Sequence, residues 1–250
     1  MDAAEAECLI GLGGNIGDVA DTFRIALRQL SNAGCHVRDV SSVYQTAAMG
    51  ADAGDPFLNA VARVATTLPP LDLLDLLQKT ETRCGRIREL HWGPRRLDLD
   101  LLDYGNVDLS TDALVLPHPG IWYRRFVLEP LSEIAVDWVH PCLKFSVSTL
   151  LERLSKRPLL VNVDTVTDLP HCPTQFHSFA TIRRCHVQDR TAMSELVSEA
   201  FCRIMCHSQS ERSPTVTRPF VLNVDENGLQ ALVESVLTAS LGRCEKCQTL

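Results

Sequence analysis

The sequence predicts an α+β protein: a ferredoxin-like two-layer sandwich followed by a small C-terminal α/β extension of unknown fold. The first observation is the order of elements, β-α-β-β-α-β, which hydrophobic periodicity gives along residues 7–104. A sheet and helices in that order pack as the ferredoxin-like arrangement. The second observation is a change in composition, because six of the ten cysteines lie beyond residue 170.

Each predicted element has a local sequence signal. Asp18 is a suitable N-cap for the first helix and Gly34 a suitable stop, while Pro69 and Pro70 suit the start of the second helix. The predicted elements, in chain order, are a strand at 7–12, a tight turn at 13–15, a helix at 18–34, strands at 37–46 and 57–67, a helix at 71–83, a strand at 97–104, and helices starting near Val127 and at 147–154.

The composition predicts three segments. Residues 1–155 form the main domain, and residues 156–173, which contain three prolines, form a linker. Residues 174–250 form the extension, whose own pattern predicts a strand at 178–187, a helix at 191–206, a strand at 220–224 and a helix at 228–241.

The overall composition narrows the classes of function. The net charge of −7 argues against binding nucleic acid through bulk positive charge. No segment approaches the roughly 20 consecutive apolar residues of a membrane span, and the N-terminus has no basic, apolar leader. We therefore expect a cytoplasmic protein that binds neither nucleic acid nor membrane. The oligomeric state is left open.

Residues 85–100 carry the clearest sign of chemistry. Four arginines flank a Trp-Gly-Pro sequence and lead directly into Asp98-Leu99-Asp100 on a predicted strand. Side chains alternate along a strand, so the two carboxylates share one face at a spacing of about 7 Å. Such a pair suits Mg²⁺, and nearby guanidinium groups suit phosphate oxygens. The pattern predicts a phosphoryl-transfer site.

Each part of this pattern has a simpler explanation by itself. An Asp-x-Asp sequence is common on solvated strand faces, and a group of arginines usually lies on a solvated surface. Their combination around an apolar strand favours the functional interpretation.

These residues resemble the 6-hydroxymethyl-7,8-dihydropterin pyrophosphokinase family over about residues 7–155. The Trp-Gly-Pro-Arg-x-Leu-Asp-Leu-Asp sequence is the most specific match. The matching segments are 11–18, 41–46 with Gly50, 57–60, Glu81 with 85–88, 92–95 with 97–100, 117–118, and 124–126 with 130–131.

The resemblance implies transfer of pyrophosphate from Mg²⁺-ATP to 6-hydroxymethyl-7,8-dihydropterin, with release of AMP, in folate biosynthesis. It implies two Mg²⁺ ions held by Asp98 and Asp100. The residues implied in catalysis are Arg86, Arg88, Trp92 and Arg95. Those implied in ATP binding are Gln78, Glu81, Arg86, Arg95, His118 and Arg124. Those implied in pterin binding are Thr46, Phe57, Asn59 and Phe126, with the two phenylalanines stacking on the ring.

The chain departs from the family pattern at several positions. Gly14 stands where serine is usual, Ala47 and Ala48 where prolines are frequent, and Ala113 where a polar or basic residue is sometimes found. The effect of Ala47, Ala48 and Ala113 on substrate affinity stays open.

No motif in the C-terminal extension indicates a known family. Its cysteines, Cys202, Cys206, Cys244 and Cys247, have a spacing that permits zinc binding. Buried structural thiols are the simpler interpretation.

Two other functions are compatible with the predicted fold. One is a non-catalytic module that binds a nucleotide or a partner, and it predicts tolerance of substitutions at Asp98 and Arg95. The other is an RNA-binding sheet, which the acidic charge and the lack of an aromatic RNA-binding motif disfavour.

Overall fold

The computed structural model describes residues 4–47, 55–86, 94–164, 170–172, 174, 177–178, 180–184, 202–207, 221–225, 228–242 and 244–250. The chain forms two compact units. The first comprises Met1–Ser148 together with Gly242–Leu250, and the second comprises Thr149–Leu241. The predicted limits were residues 155 and 174, whereas the first unit ends at Ser148 and also includes the last nine residues.

The described helices and strands are numbered here in chain order. The strands are β1 (Ala6–Gly14), β2 (Cys35–Val40), β3 (Val43–Thr46), β4 (Phe57–Thr66), β5 (Asp98–Tyr104), β6 (Leu109–Ser110), β7 (Val115–Leu116), β8 (Leu159–Asp164), β9 (Ala180–Arg184), β10 (Cys202–His207), β11 (Val221–Asp225) and β12 (Cys244–Gln248). The helices are α1 (Val19–Asn32), α2 (Pro70–Arg83), α3 (Arg125–Ile134), α4 (Val147–Ser155) and α5 (Leu229–Leu241).

An antiparallel sheet of six strands forms the centre of the first unit. Its strand order is β12-β3-β4-β1-β5, and β2 also pairs with β4. Helices and this sheet together confirm the predicted α+β class. The ferredoxin-like assignment stays a prediction.

One face of the sheet forms the main core with α1 and α2. The N-cap Asp18 accepts a hydrogen bond from the backbone N–H of Asp21 at 3.0 Å, which satisfies a donor of the first turn of α1. Phe23 and Leu30 of α1, and Leu73 and Leu77 of α2, are fully buried in this core. The caps and the apolar periodicity thus predicted both helices.

The strand predicted at 37–46 is two strands, β2 and β3. At the break, the Ser41 hydroxyl accepts a hydrogen bond from the backbone N–H of Val61 at 2.9 Å, and the Ser41 N–H donates to the Val61 carbonyl at 2.9 Å. A side chain replaces one backbone partner of β4 here, so the strand is interrupted.

Helix α3 covers the other face of the sheet. It packs against β3 and β4, and its buried Val127, Leu128 and Leu131 do not belong to the core formed with α1 and α2. The first unit therefore has helices on both faces of the sheet, unlike the two layers predicted from the element order.

The second unit contains a parallel sheet in the order β11-β10-β8-β9, followed by α5. Two predictions are wrong here. Strand β8 occupies part of the predicted linker 156–173, and Cys202–His207 is a strand although a helix was predicted through Cys206. In a short apolar segment, the pattern of hydrophobic residues does not distinguish a helix from a buried strand. Residues 191–201 of that predicted helix lie outside the described residues.

Among the described residues, no helix combines the length and the apolar character that crossing a bilayer requires.

Candidate active site

Asp98 and Asp100 lie on one face of β5, as the strand alternation predicts. Leu99 and Leu101 point into the core and are 5% and 3% exposed, whereas both aspartates are half-buried. The exposed fractions of the two carboxyl side chains are 25% for Asp98 and 41% for Asp100. Both remain within reach of a ligand that approaches this face.

Two arginines hold Asp98. The Nη1 atom of Arg86 donates to Oδ1 of Asp98 at 2.5 Å, and Nη1 of Arg95 donates to Oδ2 at 2.7 Å. The side chains of Arg86 and Arg95 are only 20% and 17% exposed. The sequence placed these arginines near the acidic strand, and the structure brings both to the same carboxylate.

A third arginine approaches Asp100. The Nη1 atom of Arg124, the residue before α3, lies 3.4 Å from Oδ2 of Asp100. The Arg124 guanidinium carbon also lies 5.8 Å from the centroid of the Phe126 ring. Arg124 therefore connects the acidic strand with one of the two aromatic rings predicted to bind pterin.

Glu81, which the family resemblance implies in ATP binding, is buried and contacts other residues of the protein. Its side chain is 3% exposed, it forms an ion pair with Arg86, and its Oε1 accepts a hydrogen bond from the backbone N–H of Leu99 at 2.7 Å. These contacts tie α2 to β5 and fix the arginine that reaches Asp98. Gln78, on the same helix, is exposed.

The residues predicted to bind pterin lie on β3 and β4. Thr46 is the register partner of Phe57, and Nδ2 of Asn59 donates to the Thr46 hydroxyl at 3.0 Å. The guanidinium carbon of Arg95 lies 5.7 Å from the centroid of the half-buried Phe57 ring. This cluster thus adjoins the arginine–aspartate group.

Gly13 has no side chain to fill the space between the residues predicted to bind pterin and the arginine–aspartate group. Gly13 of β1 is the register partner of Asn59 on one side and of Asp98 on the other. A Cβ atom at this position would lie 3.6 Å from Oδ1 of Asn59 and 3.7 Å from Cβ of Asp98.

His118 is a neutral residue beside this group. Burial, with a further contribution from Arg124, lowers its pKa to about 3, although Asp98 opposes the shift. Its Nδ1 accepts a hydrogen bond from the backbone N–H of Gly120 at 2.9 Å. The free Nε2–H is then a hydrogen-bond donor at neutral pH.

Two residues predicted to act in catalysis, Arg88 and Trp92, lie outside the described residues. Asn15 is a site residue that the sequence reasoning missed. Its backbone N–H donates to the Arg95 carbonyl at 2.9 Å, its Oδ1 accepts from the Arg95 N–H at 2.8 Å, and its Nδ2 donates to the Asp55 carbonyl at 3.0 Å. Its position in the Gly-Gly-Asn sequence was the available signal.

The tight turn predicted at 13–15 is wrong, because Gly13 and Gly14 end strand β1. A Cβ atom on Gly14 would lie 2.6 Å from the Arg96 carbonyl oxygen and 3.1 Å from Cγ1 of Val19. The glycine therefore permits close approach of the chain that carries Arg95.

The C-terminal cysteines do not form a described metal site. Among the residues whose side chains are described, no group of three or more His, Cys, Asp or Glu residues is arranged to hold an ion. The side chains of Cys202 and Cys206 lie outside that description. Burial raises the pKa of the Cys244 thiol to about 12, so without a metal ion this thiol is protonated at neutral pH.

Three arginines around two aspartates, on a sheet face beside two half-buried phenylalanines, define an enzyme of the phosphoryl-transfer class. Forked guanidinium groups suit phosphate oxygens, and paired carboxylates suit divalent ions.

Comparison with known proteins makes the assignment specific. The sequence profile of 7,8-dihydro-6-hydroxymethylpterin-pyrophosphokinase (HPPK) matches residues 9–136. The chain belongs to this family, which confirms the resemblance inferred from its motifs and the diphosphotransferase class that the family name carries.

Several relatives carry the corresponding name. The 2-amino-4-hydroxy-6-hydroxymethyldihydropteridine pyrophosphokinase of Synechocystis is 43% identical over 147 residues, which are 58% of this chain and 75% of the relative. The Bacillus subtilis protein of that name is 43% identical over 126 residues, which are 50% and 75% of the two chains. The mitochondrial folate synthesis bifunctional protein of Arabidopsis thaliana is 41% identical over 55% of this chain and 25% of its own.

A solved structure from Plasmodium falciparum, HPPK-DHPS with STZ-DHP, has 12% sequence identity and a TM-score of 0.47 to this chain. The match covers 84% of this chain and 55% of that one.

Proposed function

We propose that this chain transfers the pyrophosphoryl group of ATP to the hydroxymethyl group of 6-hydroxymethyl-7,8-dihydropterin, in folate biosynthesis. The supporting observation is the pairing of Asp98 and Asp100 with three arginines on one sheet face, in a chain of the HPPK family. The family name supplies the acceptor, and the charges on this face suit the donor.

The proposed reaction is a single displacement at the β-phosphorus of ATP. The oxygen of the pterin hydroxyl forms a bond to that phosphorus, and the bond from the phosphorus to the oxygen bridging it to the α-phosphate breaks. AMP leaves with the bridging oxygen, and the proton of the hydroxyl passes to solvent. The products are the pterin diphosphate and AMP.

Asp98 and Asp100 would hold the two Mg²⁺ ions. Their donor set fits, because both present carboxylate oxygens on one face, partly open to solvent, and phosphates and waters can complete the coordination. When bound, the ions would neutralise the charge of the triphosphate.

The arginines provide the remaining positive charge. Arg86, Arg95 and Arg124 now neutralise the two aspartates, so each is already directed at the face where ATP would bind. The proposed role of these three residues, and of Arg88 on the segment outside the described residues, is to bind phosphate oxygens by charge-assisted hydrogen bonds. His118 would donate its Nε2–H to the nucleotide, and Gln78 would also contact the nucleotide. Glu81 would act by holding Arg86.

The proposed pterin pocket lies between Phe57 and Phe126. Stacking between two aromatic faces suits a flat heterocycle, and Asn59 and the chain at Thr46 offer hydrogen bonds for its polar edge. Trp92, which lies outside the described residues, would take part in catalysis, as the family resemblance implies. We also propose that the sheet of the first unit has the ferredoxin-like strand topology, which its strand order β5-β1-β4-β3 supports, with α3 as an additional layer on the second face.

The decisive experiment incubates the full chain with Mg²⁺, ATP and 6-hydroxymethyl-7,8-dihydropterin and measures AMP. In Asp98→Ala and in Asp100→Ala we expect kcat to fall by about 10³-fold or more, because the triphosphate charge is no longer balanced. Asp75→Ala is the matched control, since Asp75 forms an exposed ion pair with Lys79 on α2.

Circular dichroism would show whether each variant keeps its fold. Release of AMP by folded Asp98→Ala and Asp100→Ala at the wild-type rate would contradict the metal assignment. Absence of AMP with the wild-type chain would contradict the proposed activity.

A further inference from the structure

The last described residues of the chain pair with the strand that carries Thr46. Strand β12 lies antiparallel to β3, with Cys244 opposite Thr46, Glu245 opposite Gln45 and Lys246 opposite Tyr44. These residues lie far beyond 9–136, the range that the family profile matches. A segment outside the family match thus completes the sheet beside the proposed pterin pocket.

Glu133 of α3 joins this strand to the family core. It accepts hydrogen bonds from the backbone N–H of Ser42 at 2.7 Å, from the Tyr44 hydroxyl at 2.8 Å and from Nζ of Lys246 at 2.6 Å. Burial of the Glu133 carboxylate opposes ionisation, but these donors outweigh it and lower its pKa to about 2. The carboxylate is therefore charged and fully engaged at neutral pH.

These contacts connect both sides of the proposed pocket. Strand β3 ends at Thr46, whose hydroxyl accepts a hydrogen bond from Asn59. Helix α3 carries Phe126 in its first turn and Glu133 near its end. The ion pair of Lys246 with Glu133 thus links β12 to the helix that carries one side of the pocket, and the strand pairing links it to the other.

On the basis of the proposed function, we propose that β12 helps to position the pterin. It does so by holding the end of β3, and so Thr46, against α3. Strand β3 has only four residues, and a short strand paired on one edge alone is held by few hydrogen bonds. Pairing with β12 gives it a second neighbour. Because this support acts on the pterin side, its loss raises the KM for pterin more than the KM for ATP or kcat.

The test uses the full chain with Lys246→Met, which removes the charge and keeps most of the side-chain volume. Lys246 is 58% exposed and Glu133 23%, so we expect the KM for pterin to rise by about two- to five-fold. The KM for ATP and kcat stay within about two-fold, and Lys246→Arg restores the KM for pterin because it restores the ion pair. Lys156→Met, at an exposed residue after α4, is the charge-matched control.

A second variant removes the strand by ending the chain at Gly242. We expect the KM for pterin to rise by about ten-fold or more, because the whole edge of β3 loses its partner. If this truncated chain fails to fold, Lys246→Met with its arginine rescue still decides the proposal.

Calorimetric titration with the pterin alone separates this inference from the proposed activity. If the wild-type chain binds pterin but releases no AMP, the activity is wrong, and weaker pterin binding by Lys246→Met still supports the positioning role. An unchanged pterin affinity in Lys246→Met and in the folded truncated chain would overturn the inference. Equal losses for ATP and pterin would overturn it as well, because they indicate general destabilisation.

Discussion

At the level of single residues, the position of Arg124 depends on Gly120, because the lack of a side chain there leaves room for the guanidinium group. A Cβ atom on Gly120 would overlap the guanidinium group of Arg124, approaching Nε most closely and lying 2.8 Å from Cζ. Arginine is flexible, so Gly120→Ala displaces the side chain rather than the backbone. We expect the KM for ATP to rise by about ten-fold through loss of the Arg124 contact, with the free energy of unfolding nearly unchanged.

A double variant checks that this effect passes through Arg124. Gly120→Ala added to Arg124→Ala should change the KM for ATP no further, because the displaced group is already absent. Additive effects of the two substitutions would contradict the coupling.

Two histidines with lowered pKa values make stability depend on pH. Burial lowers the pKa of His118 to about 3 and that of His140 to about 4. The unfolded chain therefore binds more protons than the folded one below about pH 6.5, and stability falls as the pH falls. Each histidine contributes a loss of up to about 1.4 kcal/mol per pH unit until its folded pKa is reached.

Urea unfolding at about pH 7 and about pH 5 measures this dependence, compared with the double variant His118→Gln, His140→Gln. We expect the variant to lose less stability between the two pH values. The lowered pKa of Glu133 affects the stability only below about its ordinary value of 4.5, which is outside this pH range. The raised pKa of Asp103 makes the folded chain more stable as the pH falls, so it opposes the effect of the histidines. An equal loss in both chains would contradict the histidine assignment.

At the scale of elements, the contact between α2 and β5 depends on one buried carboxylate. Glu81 accepts from the Leu99 N–H and pairs with Arg86. Removing it leaves a buried N–H and a largely buried guanidinium without this partner, so Glu81→Ala should lower the free energy of unfolding by about 3 kcal/mol. Chemical denaturation measures this. Asp75→Ala should change it by less than about 0.5 kcal/mol, since that ion pair is exposed, and equal effects of the two would contradict the structural role.

The elements predicted well are those with local signals. The apolar stripes of α1 and α2, the Asp18 cap and the prolines at the start of α2 lie within or next to the elements themselves, and the alternation of β5 follows from its own sequence. The break between β2 and β3 depends on a hydrogen bond from Val61, twenty residues away along the chain. Strand β12 depends on pairing with β3, some two hundred residues earlier. Such partners leave no periodic signal in the segment itself.

At the scale of the whole molecule, the chain contains two compact units, each with its own sheet. Units with separate hydrophobic cores generally unfold as separate cooperative units. We therefore expect differential scanning calorimetry to give a van 't Hoff enthalpy smaller than the calorimetric enthalpy. A ratio near one, with a single transition, would contradict independent unfolding.

Local patterns in the sequence were enough to predict the class of fold, the family and the residue types at the site. Asp98 and Asp100 share a face because strand alternation is a local property, and the motif around them is specific enough to indicate the family. The folded structure was needed to show that Arg86 and Arg95 meet at one carboxylate, that the buried Glu81 connects α2 to β5, and that β12 pairs with β3. The reason is physical: these contacts join residues distant along the chain, and their partners are chosen by packing and hydrogen bonding that form only when the sheet is complete.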